Sequence, residues 1–274
     1  MATNIIWFDG FRGNWDSGLL SSIIENNSTF IEHNSKDNPV FDNVIVLAGK
    51  TDKYRLRDYL LKTSKALVIL MSDEDSYFDW EFCQLPHVEF WTQYYFRNKG
   101  EIKTRIPLGV PNRFKNYIVT KQERKYSVSF IGQVQNEHRR QCVEAVKQIP
   151  NHFIHIADGF GGVGGLEYQD YLDVLCQSEV VVCPSGSMCC DSFRVYEAIE
   201  CGALPVADRN SPRDYIDFNY WKECGINIIS LTDWKELSRY IDKPFVKAQM
   251  QITKDWWSIY KSELKTKLET YFNQ

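Results

Sequence analysis

Three observations predict an α/β chain with two successive parallel sheets. Short β-branched or fully apolar runs alternate with helix-period segments along most of the sequence. Runs such as Ala66–Met71 and Glu179–Val182 lack the in–out alternation of a half-exposed strand, as expected of strands buried on both faces. The alternation also occurs twice, on either side of the extended tract Ile106-Pro107-Leu108-Gly109-Val110-Pro111, which reads as a crossover between domains. With 274 residues, 43% hydrophobic and 14% aromatic, the chain can fill two cores.

In the first section, Ile5–Phe8 is a strand that ends in the turn Asp9-Gly10-Phe11-Arg12-Gly13, and Trp15–Glu25 has helical character. Asn26–Asn43 is polar, contains Pro39 and reads as partly loop. Val44–Leu47 is a strand, Tyr54–Lys62 a helix and Ala66–Met71 a strand, whereas the aromatic stretch Trp80–Phe96 fits no single period. In the second section, Tyr126–Ile131 is a strand ending at Gly132, and Asn136–Gln148 is a helix stopped by Pro150. Phe153–Ile156 is a strand, Asp158–Gly165 a glycine-rich loop, and Glu167–Cys176 a helix. Glu179–Val182 and Ala203–Ala207 are strands on either side of a helix that Gly202 stops. Pro212–Gly225 is loop and helix, Ile226–Ile229 a strand, Asp233–Ile241 a helix, and Val246–Phe272 helical throughout.

The composition removes several function classes. The net charge of −4 does not favour nonspecific binding to polyanions. No apolar run is long enough to span a bilayer, and the N-terminus lacks the basic and apolar regions of a signal peptide, so a cytoplasmic enzyme is the expectation. The eight cysteines include no C-x-x-C pair and read as reduced, structural thiols. The five histidines show no metal-ligand spacing, and no metal or cofactor is expected. Gly159–Gly165 does not have the spacing of a dinucleotide fingerprint, and no P-loop is present.

The run from Cys183 to Ala207 carries the chemistry. A strand, a Gly/Ser loop containing Ser185 and a helix begun by Asp191-Ser192 make an anion pocket, because first-turn N–H groups lack intrahelical partners. Arg194 adds a positive charge there. Glu197 lies three residues on, near the same face, where a carboxylate can accept bonds from sugar hydroxyls. Phosphate plus ribose is the implied ligand. Each residue also has a plainer reading: Glu197 as a solvated carboxylate, Arg194 as the partner of Asp191, Arg139 and Arg140 as a basic helix surface.

This run resembles the exostosin-like glycosyltransferases. The match consists of Cys183-Pro184, Ser192-Phe193-Arg194-Val195-Tyr196-Glu197-Ala198, Gly202 and Pro205-Val206. More loosely, Ser129-Phe130-Ile131-Gly132 and Arg139-Arg140 are similar to the family's first C-domain strand and arginine-bearing helix. The resemblance implies the GT-B fold, with two Rossmann-like domains facing a central cleft. Residues 1–112 would be the acceptor domain, 113–245 the nucleotide-sugar domain, and 246–274 C-terminal helices crossing back to the N-domain. It implies a metal-independent enzyme using a nucleoside-diphosphate sugar, expected to be a UDP-sugar. Glu197 would hold the ribose and Arg194 the diphosphate. Gly132, Ser185, Asp191, Ser192 and either Arg139 or Arg140 would complete the donor site.

A catalytic base would come from the first section, where Asp9 and Asp73 follow strands at the side expected to face the ligand. Asp16, Glu74 and Asp75 are the alternatives, as is catalysis with no protein base. The acceptor is expected to be a glycan or glycoconjugate. A hydroxymethylated DNA base, as in phage enzymes, and a non-catalytic sugar-nucleotide-binding module are the rival readings.

Overall fold

The computed structural model describes residues 2–25, 27–34, 36–49, 51–71, 79, 81–93, 104–120, 122–159, 164–186, 189–209, 211 and 219–273. The chain divides into two compact units, Met1–Arg113 with Tyr260–Gln274, and Phe114–Ile259. Each is built on a parallel sheet with helices, so the α/β expectation holds.

In the first unit the strands are β1 (Thr3–Trp7), β2 (Phe30–His33), β3 (Asn43–Ala48), β4 (Lys65–Leu70), β5 (Val88–Thr92) and β6 (Thr104–Arg105). All neighbours pair in parallel, in the order β2-β1-β3-β4-β5-β6. The central strands β3 and β4 have near-zero exposure from Val44 to Ala48 and from Ala66 to Ile69, which explains their unbroken apolar sequence. Helix α1 (Gly18–Ile24) follows a 3-10 turn at Trp15–Ser17, and α2 (Lys53–Leu60) is capped by Asp52, which accepts from the Tyr54 N–H at 2.8 Å. The polar 26–43 stretch contains β2, and the aromatic 80–96 stretch contains β5, strands that sequence periodicity does not reveal.

In the second unit β7 (Tyr126–Gly132), β8 (His152–Ile156), β9 (Ser178–Cys183), β10 (Leu204–Asp208) and β11 (Ile229–Leu231) form an all-parallel sheet in the order β11-β10-β9-β7-β8. β11 begins where the sequence places the end of that strand. Helices α3 (Glu137–Lys147), α4 (Tyr168–Cys176), α5 (Phe193–Glu200), α6 (Tyr220–Glu223) and α7 (Lys243–Thr270) belong to this section, and Trp234–Tyr240 is 3-10 rather than α. The last turns of α7 fall in the first unit, where Asn27 Nδ2 donates to Glu269 Oε1 at 2.7 Å. In the second unit, Trp257 Nε1 donates to Glu200 Oε1 at 2.8 Å.

Two helix ends are tied together by one side chain. Gly202, with φ +69°, closes α5: its N–H reaches the Ile199 carbonyl and the Ala203 N–H reaches the Ala198 carbonyl, the two bonds of a Schellman cap. The carbonyls left over at Cys201 and Gly202 accept from Arg124 Nη2. Arg124 Nη1 donates to the carbonyls of Leu175 (3.1 Å), Cys176 and Ser178 (2.9 Å), at the end of α4 and the start of β9. A cation at the negative ends of two helices complements both dipoles. Burial pulls the Arg124 guanidinium below its ordinary value, a cost that its carbonyl partners offset.

All eight cysteines are free thiols, seven of them buried and Cys224 half-buried. Cys142 lies among the aliphatic side chains of the second core and fills space there as a small hydrophobe. Among the described residues, no helix is long and apolar enough to cross a membrane, and no group of three His, Cys, Asp or Glu side chains is placed to hold a metal.

Candidate functional site

In the second sheet, the chain leaves β7 for β8 on one side and returns to β9 on the other. The crevice beyond the carboxyl ends of β7 and β9 is therefore the topological switch point, where open α/β sheets bind ligands. The segments that meet there are Gly132–Asn136, Pro184–Gly186 and Cys189–Ser192, with β10 ending alongside at Asp208.

Arg139 bridges the two loops. Asn136 caps α3 by accepting from the Arg139 N–H at 2.9 Å, which sets the first turn of the helix. The side chain then runs back, with Nε donating to Ser185 O at 2.9 Å and Nη1 to Gln133 O at 3.0 Å. Ser185 is fixed from behind, because its N–H donates to Asp208 Oδ2 at 2.6 Å. Burial raises the Asp208 carboxyl, opposed by that N–H and by nearby His138, whose Nδ1 lies 3.9 Å from Asp208 Oδ1.

Arg194 approaches from the first turn of α5. An ideal Cβ on Gly132, whose φ is +149°, would stand 2.6 Å from Arg194 Nη2, so the guanidinium occupies the space a side chain would take. The two arginines sense each other: Arg139 is held below its ordinary value first by burial and then by the positive charge of Arg194. Arg194 is also penalised by burial, yet Tyr171, Cys183 and Glu197 hold it above its ordinary value. Two guanidinium groups thus converge beside the N-terminus of α5. Ser192, the N-cap residue, has extended backbone (φ −149°, ψ 147°), but its hydroxyl makes no capping bond. Among the described residues, neither the buried Ser192 Oγ nor the buried Arg194 Nε has a hydrogen-bond partner. Unpaired buried polar atoms beside two like charges are what a bound oxyanion would satisfy.

Glu197 is 4% exposed. Its Oε1 accepts from the Tyr168 hydroxyl and its Oε2 from the Tyr171 hydroxyl at 2.6 Å. Both oxygens turn toward α4 rather than outward to a sugar. Neither tyrosine was singled out by the sequence reading. The available signal was their i, i+3 spacing on the apolar face of α4, where a buried phenol needs a partner.

Of the residues read from sequence, the structure brings together Gly132, Arg139, Ser185, Ser192 and Arg194. Asp191 is buried in the same loop, its N–H reaching Cys189 Sγ at 3.4 Å. Arg140 is not brought to this site. It is exposed and pairs with Glu137 at 2.8 Å, because successive helical residues point about 100° apart.

Asp9 lies in the first unit, beyond β1, with φ +56°. Its Oδ1 accepts from Asn38 Nδ2 at 3.0 Å and pairs with Arg55 Nη2 at 2.9 Å, while Oδ2 accepts from Thr51 Oγ1 at 2.6 Å. A general base must present an oxygen to the proton it takes. These three donors instead give Asp9 the work of fastening the β1 loop to α2. Asp73, Glu74 and Asp75 lie outside the described residues.

An alanine at residue 132 would be strained at φ +149°, at about 1–3 kcal/mol, and its Cβ would displace the Arg194 guanidinium. Gly132→Ala is therefore expected to weaken the binding of inorganic pyrophosphate about tenfold in calorimetry. Circular dichroism should show the fold retained.

Residues 109–273 match the family described as the RXYLT1 C-terminal domain. The chain is 25% identical over 194 residues to ribitol-5-phosphate xylosyltransferase 1 of Homo sapiens, covering 59% of this chain and 42% of that protein. It is 25% identical over 187 residues to the protein of the same name from Danio rerio, covering 58% and 42%. The chain thus spans less than half the length of these relatives. Among solved structures, a crystal structure of an α1,3-fucosyltransferase is similar at a TM-score of 0.44 and 11% identity, over 92% of this chain and 82% of that one.

Proposed function

The chain belongs to the RXYLT1 C-terminal domain family, and from that premise we propose that it is a glycosyltransferase that takes its sugar from a nucleoside-diphosphate donor, with UDP as the expected nucleotide. At the coarser level the family is a glycosyltransferase family, as the Cys183–Ala207 motif suggested; the exostosin-like assignment is a finer claim that the match does not make.

One observation carries the reading. Arg139 and Arg194 converge at the switch point beside the α5 N-terminus, and Ser192 Oγ and Arg194 Nε are buried there without a hydrogen-bond partner among the described residues. In glycosyl transfer the bond from the anomeric carbon to the diphosphate oxygen breaks, and negative charge grows on the leaving diphosphate. Fixed cations and first-turn N–H groups stabilise that charge with little reorganisation. The reading therefore includes turnover without a divalent ion. It gives the acceptor, a hydroxyl of a glycan or glycoconjugate, to the first unit. The curated relatives are named for transfer to ribitol 5-phosphate, so alditol phosphates belong among the acceptors tried.

The test is release of nucleoside diphosphate from UDP-xylose and a panel of other nucleotide sugars, with and without hydroxyl acceptors, in the presence of EDTA. Release that rises with one acceptor and survives EDTA is expected. Tight binding of nucleoside diphosphate with no hydrolysis or transfer on any acceptor would leave a binding module and sink the enzyme reading.

A further inference from the structure

We infer that Asp208 is a positioning residue: by holding the Ser185 N–H it fixes the backbone carbonyl from which the Arg139 guanidinium hangs, and so aims that guanidinium at the donor's diphosphate. The inference rests on the donor-site reading above and gives work to a buried carboxylate that the transfer chemistry does not otherwise use.

A buried carboxylate is costly unless donors meet it. Asp208 is the last residue of β10 and 3% exposed. The sheet holds it from both sides, since Asp208 pairs with Leu231 of β11 and the preceding Ala207 with Cys183 of β9. Its own carbonyl accepts from Trp221 Nε1 at 2.6 Å. The carboxylate therefore stands on a rigid base. From there Oδ2 reaches the loop after β9 and takes the Ser185 N–H at 2.6 Å, a short charge-assisted bond.

Ser185 is thus gripped at both ends. Asp208 holds its N–H, and Arg139 Nε donates to its carbonyl at 2.9 Å. The two bonds lie on successive peptide units, so a shift of Ser185 disturbs both. Arg139 has a second backbone anchor, Nη1 to Gln133 O at 3.0 Å. Two anchors set the plane of a rigid fork. Among the described residues the hydrogen bonds of this guanidinium run from Nε and Nη1, and Nη2 is the donor left for an oxyanion. With Ser185 released from Asp208, one of the two anchors drifts. The positive charge stays, but its aim is lost.

The opposite charges of Asp208 and Arg139 also attract, so the test must separate charge from hydrogen bond. Asparagine does so. Its amide oxygen can take the Ser185 N–H, and its amide nitrogen then stands in the place of Oδ1, which lies 3.9 Å from His138 Nδ1.

The experiment is calorimetric titration of UDP, GDP, CDP and ADP into the intact protein, Asp208→Ala, Asp208→Ser, Asp208→Asn, Arg139→Gln and the double variants of alanine or serine with Arg139→Gln. Melting curves accompany each. Serine stops short of the Ser185 N–H, so it serves beside alanine, and the comparison uses whichever of the two melts cooperatively. That variant is expected to weaken the best nucleoside diphosphate about tenfold. Asp208→Asn should recover affinity to within about threefold of the unsubstituted protein. In the Arg139→Gln background the loss of Asp208 should lower the melting temperature but not the affinity further, because the group it aims is gone. An asparagine variant as weak as alanine or serine would make charge the operative feature and overturn the inference. Additive losses in the cycle would mean general support of the fold and overturn it too. Unchanged affinity without the Asp208 carboxylate overturns it while leaving the donor site standing. An unsubstituted protein that binds none of the four nucleotides overturns both.

Discussion

Replacing Arg124 by methionine should destabilise the Phe114–Ile259 unit by about 3–5 kcal/mol, the scale of breaking a buried charged network. The side chain serves five carbonyls at the ends of α4 and α5 and the start of β9. Methionine fills much of the same volume but leaves those acceptors without donors in a place water reaches poorly. Each lost bond to a charged donor is worth about 1.5–3 kcal/mol alone, and the losses overlap because the five share one group. A fall in Tm of roughly 6–20 °C follows for a unit of this size. Lysine, with one compact ammonium in place of a planar fork, should recover only part of it. A drop below about 1 kcal/mol in urea unfolding would show that solvent, not Arg124, satisfies these carbonyls.

Arg194→Gln should cost about 10²–10³ in donor turnover, the usual scale for deleting one donor to a developing oxyanion. The residue stands beside Gly132, in reach of Tyr171 and near Arg139. Glutamine keeps a hydrogen-bonding head but removes a positive charge that the buried Glu197 carboxylate feels. Some loss of stability is therefore expected too, and turnover must be compared well below the melting transition. Arg194→Lys keeps charge without the fork and should fall between the two. Full activity in Arg194→Gln would place the leaving group elsewhere.

The sheets were legible where strands are buried on both faces. Ala66–Met71 and Val180–Val182 announce themselves because every position faces protein. β2 does not: Phe30, Ile31, Glu32 and His33 form a short edge strand inside a polar tract, with Ile31 47% exposed. The strand–loop–helix unit around Ser192 was legible for a local reason, since caps, loop and charges are neighbours in sequence. Arg139 and Arg140 could not be separated without the helix phase that turns one to Ser185 and the other to Glu137. Tyr171 and Asp208 reach their partners across 26 and 23 residues, and Arg124 reaches Gly202 across 78. No spacing rule connects such pairs. In the sequence Gln122-Glu123-Arg124-Lys125, that arginine looks like an ordinary surface charge.

The placement of the thiols gives the protein its own unfolding gauge. With seven of eight cysteines sealed in the packing and Cys224 half-exposed, a colorimetric disulfide reagent should modify about one sulfur quickly in the native state, since access and thiolate character govern the rate. The remaining sulfurs should react only as the chain opens. Six of the seven, all but Cys83, belong to the second unit, so the slow phase chiefly times the opening of the unit that carries Arg139 and Arg194.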